Sequence, residues 1–142
     1  MQIAIASDHA GYPLKAILAE DLRAAGHAVL DLGARDATTP VDYPDLGRAC
    51  AEAVVAGRAE MGVVVCGSGI GISIAANRVA GARCALVHDH LSAKLARQHN
   101  DANIIAFGAR LTGTETARDA LETFLATPFD GGRHQNRIRK LG

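Results

Sequence analysis

The chain contains no tryptophan, and aromatic residues make up only 4% of it. Stacking platforms for single-stranded nucleic acid are built from such rings, so that partner class is disfavoured. Charge of one sign is also missing: fifteen Lys and Arg face fifteen Asp and Glu. A balanced chain exerts no overall pull on nucleic acid or an anionic membrane. Cysteine is scarce, and Cys50, Cys66 and Cys84 form an odd set without a C-x-x-C pair. That pattern argues against a disulfide framework or zinc ribbon and for a reducing compartment, the cytoplasm. No apolar run approaches the roughly 20 residues of a membrane span. The opening Met1-Gln2-Ile3-Ala4-Ile5-Ala6-Ser7-Asp8 has no basic start and meets an acid too early for a signal peptide.

What is plentiful is aliphatic. Hydrophobic residues reach 49%, carried by Ala, Val, Ile and Leu, in 142 residues and 14.7 kDa. A single domain over 1–142 is expected, with about 6,900 Å² of folded surface against about 21,000 Å² extended. Short apolar runs alternate with helical patterns throughout. Ile3-Ala4-Ile5-Ala6 reads as a strand, followed by a helix from Pro13 with Leu14, Ile17, Leu18 and Leu22 on one face. Strands follow at 28–32, 62–66, 83–88 and 104–107. Helices are expected from Pro44 to near Gly57, through Asn77, from a Ser92 cap to His99, and from Thr114 to Ala126. Gly62 to Cys66 is apolar without alternation, as in a strand buried on both faces. The succession implies an α/β protein, a three-layer α/β/α sandwich on a Rossmann-like five-stranded parallel sheet. The expected strand order is 2-1-3-4-5. Ligands of such sheets bind beyond the carboxyl ends of the strands, where the strand order switches direction.

The residues just past the strands therefore matter most. In Cys66-Gly67-Ser68-Gly69-Ile70-Gly71, alternating glycines let backbone N–H groups converge beside a helix N-terminus, a nest for an oxyanion or phosphate. The third glycine falls one residue early for a dinucleotide fingerprint, and no P-loop lysine follows. A thiol beside a helix N-terminus is the kind that acts as base or nucleophile. The plain reading is a tight turn with a small buried cysteine. Ser68 has a hydroxyl to donate, or to spend on the turn. Asp8 and His9 follow the first strand, and Asp8 can instead cap the next helix. His99 lies on a Leu91/Leu95/His99 stripe read as facing inward, and Asn100 reads as a helix terminator. His88-Asp89-His90 offers two imidazoles on one side of an extended segment, but no third ligand at a recognised spacing. From Gly131 to Gly142 the tail carries Arg133, Arg137, Arg139 and Lys140 with no acid. Arg133 and Arg137 are one turn apart and suit a small anion, while Ile138 and Leu141 give the segment an apolar side for docking.

Taken together, these segments resemble the type B ribose-5-phosphate isomerase family, a group that includes galactose- and allose-6-phosphate isomerases. The matching stretches are Ser7 to Gly11, Asp42-Tyr43-Pro44, Cys66 to Gly71 with Ser73 to Asn77, Arg97 to Asp101, Ala106 to Gly108 with Arg110, and Gly131 to Gln135 with Arg137. The resemblance implies aldose–ketose isomerisation through a cis-enediolate without metal or organic cofactor. Ribose 5-phosphate and ribulose 5-phosphate would be interconverted, as in the pentose phosphate pathway. By position, Cys66 would move the proton between C1 and C2. The Gly67, Ser68, Gly69, Ile70 and Gly71 segment would hold the enediolate oxygens. His99, helped by Asp8, would open the sugar ring. His9, Tyr43, Asn100, Arg110, Arg133 and Arg137 would hold substrate, the arginines chiefly its phosphate. The family also implies a homodimer with shared sites, the tail serving the neighbour, with a tetramer as a further option. Ser68 stands where many members have Thr, which keeps the hydroxyl. Ile72 stands where a cysteine-less subgroup has a glutamate base, so Cys66 carries that role here. A six-carbon aldose 6-phosphate is the alternative substrate, and a noncatalytic phosphate- or nucleotide-sensing module the alternative from another class.

Overall fold

A computed structural model describes residues 1–142. Its strands are β1 (Gln2–Ser7), β2 (Ala28–Asp31), β3 (Met61–Cys66), β4 (Cys84–Leu86) and β5 (Ile104–Gly108). Its helices are α1 (Tyr12–Ala24), α2 (Tyr43–Val55), α3 (Ile70–Asn77), α4 (His90–Asn100), α5 (Thr114–Ala126) and α6 (Arg133–Arg139). The accessible surface is 6945 Å², as expected of a well-buried chain of this mass. No helix is long and apolar enough to cross a membrane.

The strands form one parallel sheet in the order β2-β1-β3-β5-β4. The expected 2-1-3-4-5 order is therefore wrong at one edge. All of β5 is buried, and it pairs with β3 from Gly62↔Ile104 to Cys66↔Gly108. The three residues of β4 are only half-buried. A fully apolar strand belongs inside the sheet, and the short strand takes the edge, where one side has no ladder partner.

Alternation along the strands separates two cores. Ile3, Ile5, Val63, Val65, Ile105 and Phe107 face α1, α4 and α5, including Leu14, Leu18, Ala96, Leu121 and Phe124. Ala4, Ala6, Val64, Cys66, Ile104 and Ala106 face α2 and α3, including Cys50, Ala53, Ile72 and Ala76. The α2 and α3 face is built mostly from small side chains, which lets these helices pack close to the sheet. Pro44 sits in the first turn of α2 and Pro13 in that of α1, where a missing N–H costs nothing. The cap of α4 is Asp89 rather than Ser92. The Asp89 carboxylate accepts the Ser92 N–H at 2.8 Å, and the Ser92 hydroxyl accepts the Asp89 N–H in return.

Candidate functional site

The strand order changes direction between β1 and β3, and the chain leaves both strands at their carboxyl ends side by side. Ser7 is in register with Val65, and the Asp8 N–H donates to the Val65 carbonyl at 3.3 Å. The crevice between them is a cleft of about 580 Å³ lined by Asp8, His9, Tyr43, Cys66, Ser68 and Arg110 among others. It is where a parallel sheet of this order places its ligand.

Cys66 ends β3 and is 3% exposed. Its Sγ accepts the Gly69 N–H at 3.1 Å, so a backbone dipole already points at the sulfur. Gly69 has φ 77°, a conformation that suits glycine, and a Cβ there would lie 2.6 Å from Leu86 and 2.8 Å from the Phe107 backbone. Gly71 is required for a different reason: a Cβ would collide with the Tyr43 ring. The Ser68 Oγ accepts the Ile70 N–H at 3.2 Å, leaving its O–H free to donate into the cleft. Turn role and donor role are thus compatible.

Asp8 is 7% exposed, and its Oδ1 accepts the Gly11 N–H at 2.8 Å, which fixes the turn into α1. The Nδ1 of His9 accepts the Val41 N–H at 3.2 Å. The ring proton must then sit on Nε2, making His9 a donor toward bound oxygen rather than a base. That backbone contact from the 33–42 loop has no signature in side-chain spacing. The Arg110 guanidinium packs over Gly67, whose missing Cβ would lie 3.5 Å from it, and makes no ion pair with an acid.

The other two cysteines do not open on this cleft. Burial pushes the Cys50 thiol up to about 12, against an ordinary 9.0. Burial, then the neighbouring Cys50 sulfur, raises that of Cys84 as well.

His99, Asn100, Arg133 and Arg137 are not in the cleft. In a parallel sheet a helix between two strands runs back toward their amino ends, and His99 and Asn100 close α4 at that end. The Arg83 side chain at the start of β4 donates to the Asn100 and Asp101 carbonyls, confirming the placement. A five-residue strand is roughly 16 Å long, so one chain cannot bring His99 to Cys66. Within a single chain the two residues therefore lie at opposite ends of the sheet. The inward stripe is also corrected: Ala93, Ala96 and Arg97 are the buried face of α4, whereas Leu91 is 59% exposed. The Leu91/Leu95/His99 stripe leaves out the neighbouring alanines, which are small enough to let α4 lie flat on the sheet.

What His99 does meet is the tail. Its ring stacks on that of His134, centroids 4.4 Å apart and planes 13° from parallel. Arg133 and Arg137 flank this stack on α6, exposed and without an acidic partner. Ligand atoms of His99, Asp130 and His134 lie within 4.8 Å of one another. A metal lies in the plane of each imidazole it binds, about 2 Å from nitrogen. Near-parallel stacked planes do not meet at one ion, so this is a stack rather than a chelate. His88-Asp89-His90 has local duties: Asp89 caps α4, and His90 Nδ1 lies 3.0 Å from an Asp119 oxygen and 3.0 Å from Thr123 Oγ1.

Beyond the expected residues, the cleft is also lined by Ala10, Ile74 and Leu111, and Ile70 of the glycine segment stands at its rim. Ile70 and Ile74 are 52% and 54% exposed, one turn apart on α3, while Ile72 is fully buried in the core. The apolar i, i+4 pair was the available signal. A larger apolar groove of about 750 Å³ lies between α1 and α5, lined by Leu18, Leu22, Leu121 and Leu125. It sits at the amino end of the sheet beside Met1 and holds no cysteine, whereas the smaller cleft gathers Asp8, His9, Cys66 and Ser68.

Comparison with known proteins identifies the fold and the family. The family described as Ribose/Galactose Isomerase matches residues 3–141. The chain is 40% identical over 140 residues to the Escherichia coli protein named ribose-5-phosphate isomerase B, covering 99% of this chain and 93% of that one. The Clostridium thermocellum ribose-5-phosphate isomerase B structure superposes with a TM-score of 0.98 at 47% identity, over 100% of this chain and 95% of that chain. The Thermotoga maritima ribose 5-phosphate isomerase structure gives 0.96 at 46%, over 99% and 96%. A noncatalytic sensing module is not favoured. With a thiol in a glycine nest at the switch point and matches along nearly its whole length, this chain belongs to the Ribose/Galactose Isomerase family.

Proposed function

We propose that the protein interconverts ribose 5-phosphate and ribulose 5-phosphate, an aldose–ketose isomerisation through a cis-enediolate. The observation that carries this reading is the Cys66 sulfur, the one thiol at the cleft, with an N–H already aimed at it. As thiolate it removes the C2 proton. The C–H electron pair becomes the C1–C2 double bond, and the aldehyde oxygen takes up charge. The thiol then returns the proton to C1, O1 gains the proton that O2 gives up, and O2 becomes the carbonyl. Backbone N–H groups of the Gly67 to Gly71 segment, apart from those of Gly69 and Ile70 already given to Cys66 Sγ and Ser68 Oγ, stabilise the oxygens together with the Ser68 hydroxyl. His9 donates from Nε2, and Tyr43 walls the cleft.

Ring opening requires a further proton carrier, and His99 with Asp8 fills that role only if two chains combine. We infer a homodimer in which His99, Asn100, Arg133 and Arg137 of one protomer complete the cleft of the other. Two features support it. The cleft rim exposes Ile70, Ile74, Leu111 and Tyr43, an apolar collar of the kind a partner covers. At the far end, the Arg133 and Arg137 guanidinium groups, neither paired with an acid, stand beside the His99–His134 stack. Arg110 with these arginines would grip the phosphate. Pairing of dimers into a tetramer is the further assembly, and the free cysteines suit a cytoplasmic setting.

Purified protein incubated with ribose 5-phosphate in a chelator should form ribulose 5-phosphate. Allose and galactose 6-phosphates assayed in parallel should turn over more slowly. Preference for a six-carbon sugar would move the assignment to that branch of the family.

A further inference from the structure

We propose that His134 is a positioning residue for His99, its stacked ring fixing the orientation of the imidazole that opens the sugar. The inference rests on the isomerase reading above. It begins in the backbone: Gly131 and Gly132 have φ 67° and 56°, and this turn folds α6 back onto α4. The Asp130 N–H donates to the Gln98 carbonyl at 3.1 Å and pins the turn beside His99. Among 133–137 only His134 is buried, at 7% exposure; the rest of that stretch faces outward. The helix therefore presents two arginines to solvent and one imidazole to α4.

His99 needs such a neighbour. It closes α4, is half-buried, and its ring accepts or donates no hydrogen bond within the chain. Rotation about its terminal torsion is a soft, broad degree of freedom. A flat ring 4.4 Å away removes most of that freedom and leaves both His99 nitrogens available to a sugar oxygen. The charged groups around His134 are His99, Arg133, Arg137 and Asp130. Partial burial, then the first three, hold its proton affinity below the usual imidazole value, opposed by Asp130. A stacking partner with lowered proton affinity opposes less the imidazolium formed when His99 takes a proton.

Two reactions separate positioning from general damage. Ribose 5-phosphate is largely cyclic and must be opened. Ribulose 5-phosphate cannot close a five-membered ring, because its O5 is esterified, so deuterium exchange from solvent into its C1 needs only the Cys66 step. His134→Ala should lower kcat for ribose 5-phosphate roughly ten- to a hundredfold, the scale for a misplaced catalytic group. KM should change little, and C1 exchange should proceed at the parent rate. His134→Phe, which keeps a flat ring, should restore most of the lost kcat. Equal losses in both reactions, no loss in either, or no recovery with Phe would overturn the proposal. Absence of both reactions in the unaltered protein would instead overturn the isomerase reading.

Discussion

Three cysteines in one chain have different fates because their sulfurs see different surroundings. Cys66 ends a central strand where a glycine turn brings an N–H to its sulfur, whereas Cys50 lies wholly within the core. Removing a general base typically costs 10²- to 10⁴-fold, so Cys66→Ala should lower kcat by about that factor in both reaction directions. Cys50→Ala should retain activity. The buried thiol makes a separate statement about pH. Its folded value is raised to about 12 from 9.0, so the native state holds a proton that the unfolded chain releases. Its stabilisation is complete below the unfolded value and is lost as pH rises toward the folded one. Urea midpoints compared at neutral and alkaline pH should show that fall, and it should be shallower in Cys50→Ala. His99 belongs to the same scale: His99→Asn should slow turnover of cyclic ribose 5-phosphate far more than C1 exchange in ribulose 5-phosphate. A matched loss in both assays would assign it to folding.

At the scale of elements, the segment joining β3 to α3 has the tightest requirements. Gly69 combines a left-handed φ of 77° with Leu86 and the Phe107 backbone at its missing Cβ. Gly69→Ala should destabilise by about 1–2 kcal/mol from the left-handed conformation alone, with more from the clash. Because the Gly69 N–H is the one on the Cys66 sulfur, kcat should fall with it. Chemical denaturation and turnover measured on the same sample test this, and a variant with parent stability and parent kcat would contradict the geometry. The start of α4 shows how a short-range choice is settled by fit. Asp89 and Ser92 can each cap a helix, and the capping box uses both, with the acid outside and the hydroxyl inside.

At the scale of the molecule, the arrangement is divided. Cys66, its glycine turn and His9 gather at the carboxyl ends of the strands; His99 and two arginines gather at the other end. A shared site predicts complementation. In that arrangement a Cys66→Ala chain and an Arg137→Ala chain would each form homodimers with two defective sites. A mixed dimer has one site with both defects and one with neither, so activity should return on mixing once subunits exchange. Mixed dimers that form yet stay inactive would place the tail in its own subunit's site. Alone, Arg137→Ala should raise KM for the phosphorylated sugar ten- to a hundredfold, the equivalent of about 1.5–3 kcal/mol for charged hydrogen bonds. The protein should sediment as a dimer at assay concentration.

Local chemistry determined most of the elements. Pro13, Pro44 and Gly26 punctuate helices wherever they occur, and the apolar runs of β1, β3 and β5 are readable because burial on both faces leaves no alternation. The Cys66–Gly71 nest and its place beside Asp8 followed from the same local rules plus the parallel-sheet topology. Three things were decided only by packing in space. The order of β4 and β5 depends on which strand covers more core, a comparison across the sheet that no single run contains. The buried face of α4 depends on alanines fitting the sheet, which a leucine stripe does not reveal. The distance between His99 and Cys66 depends on helix direction: a crossover helix returns the chain to the opposite end. Residues that the family resemblance assigns to one site are thereby separated in one chain, which is the observation behind the proposed second copy.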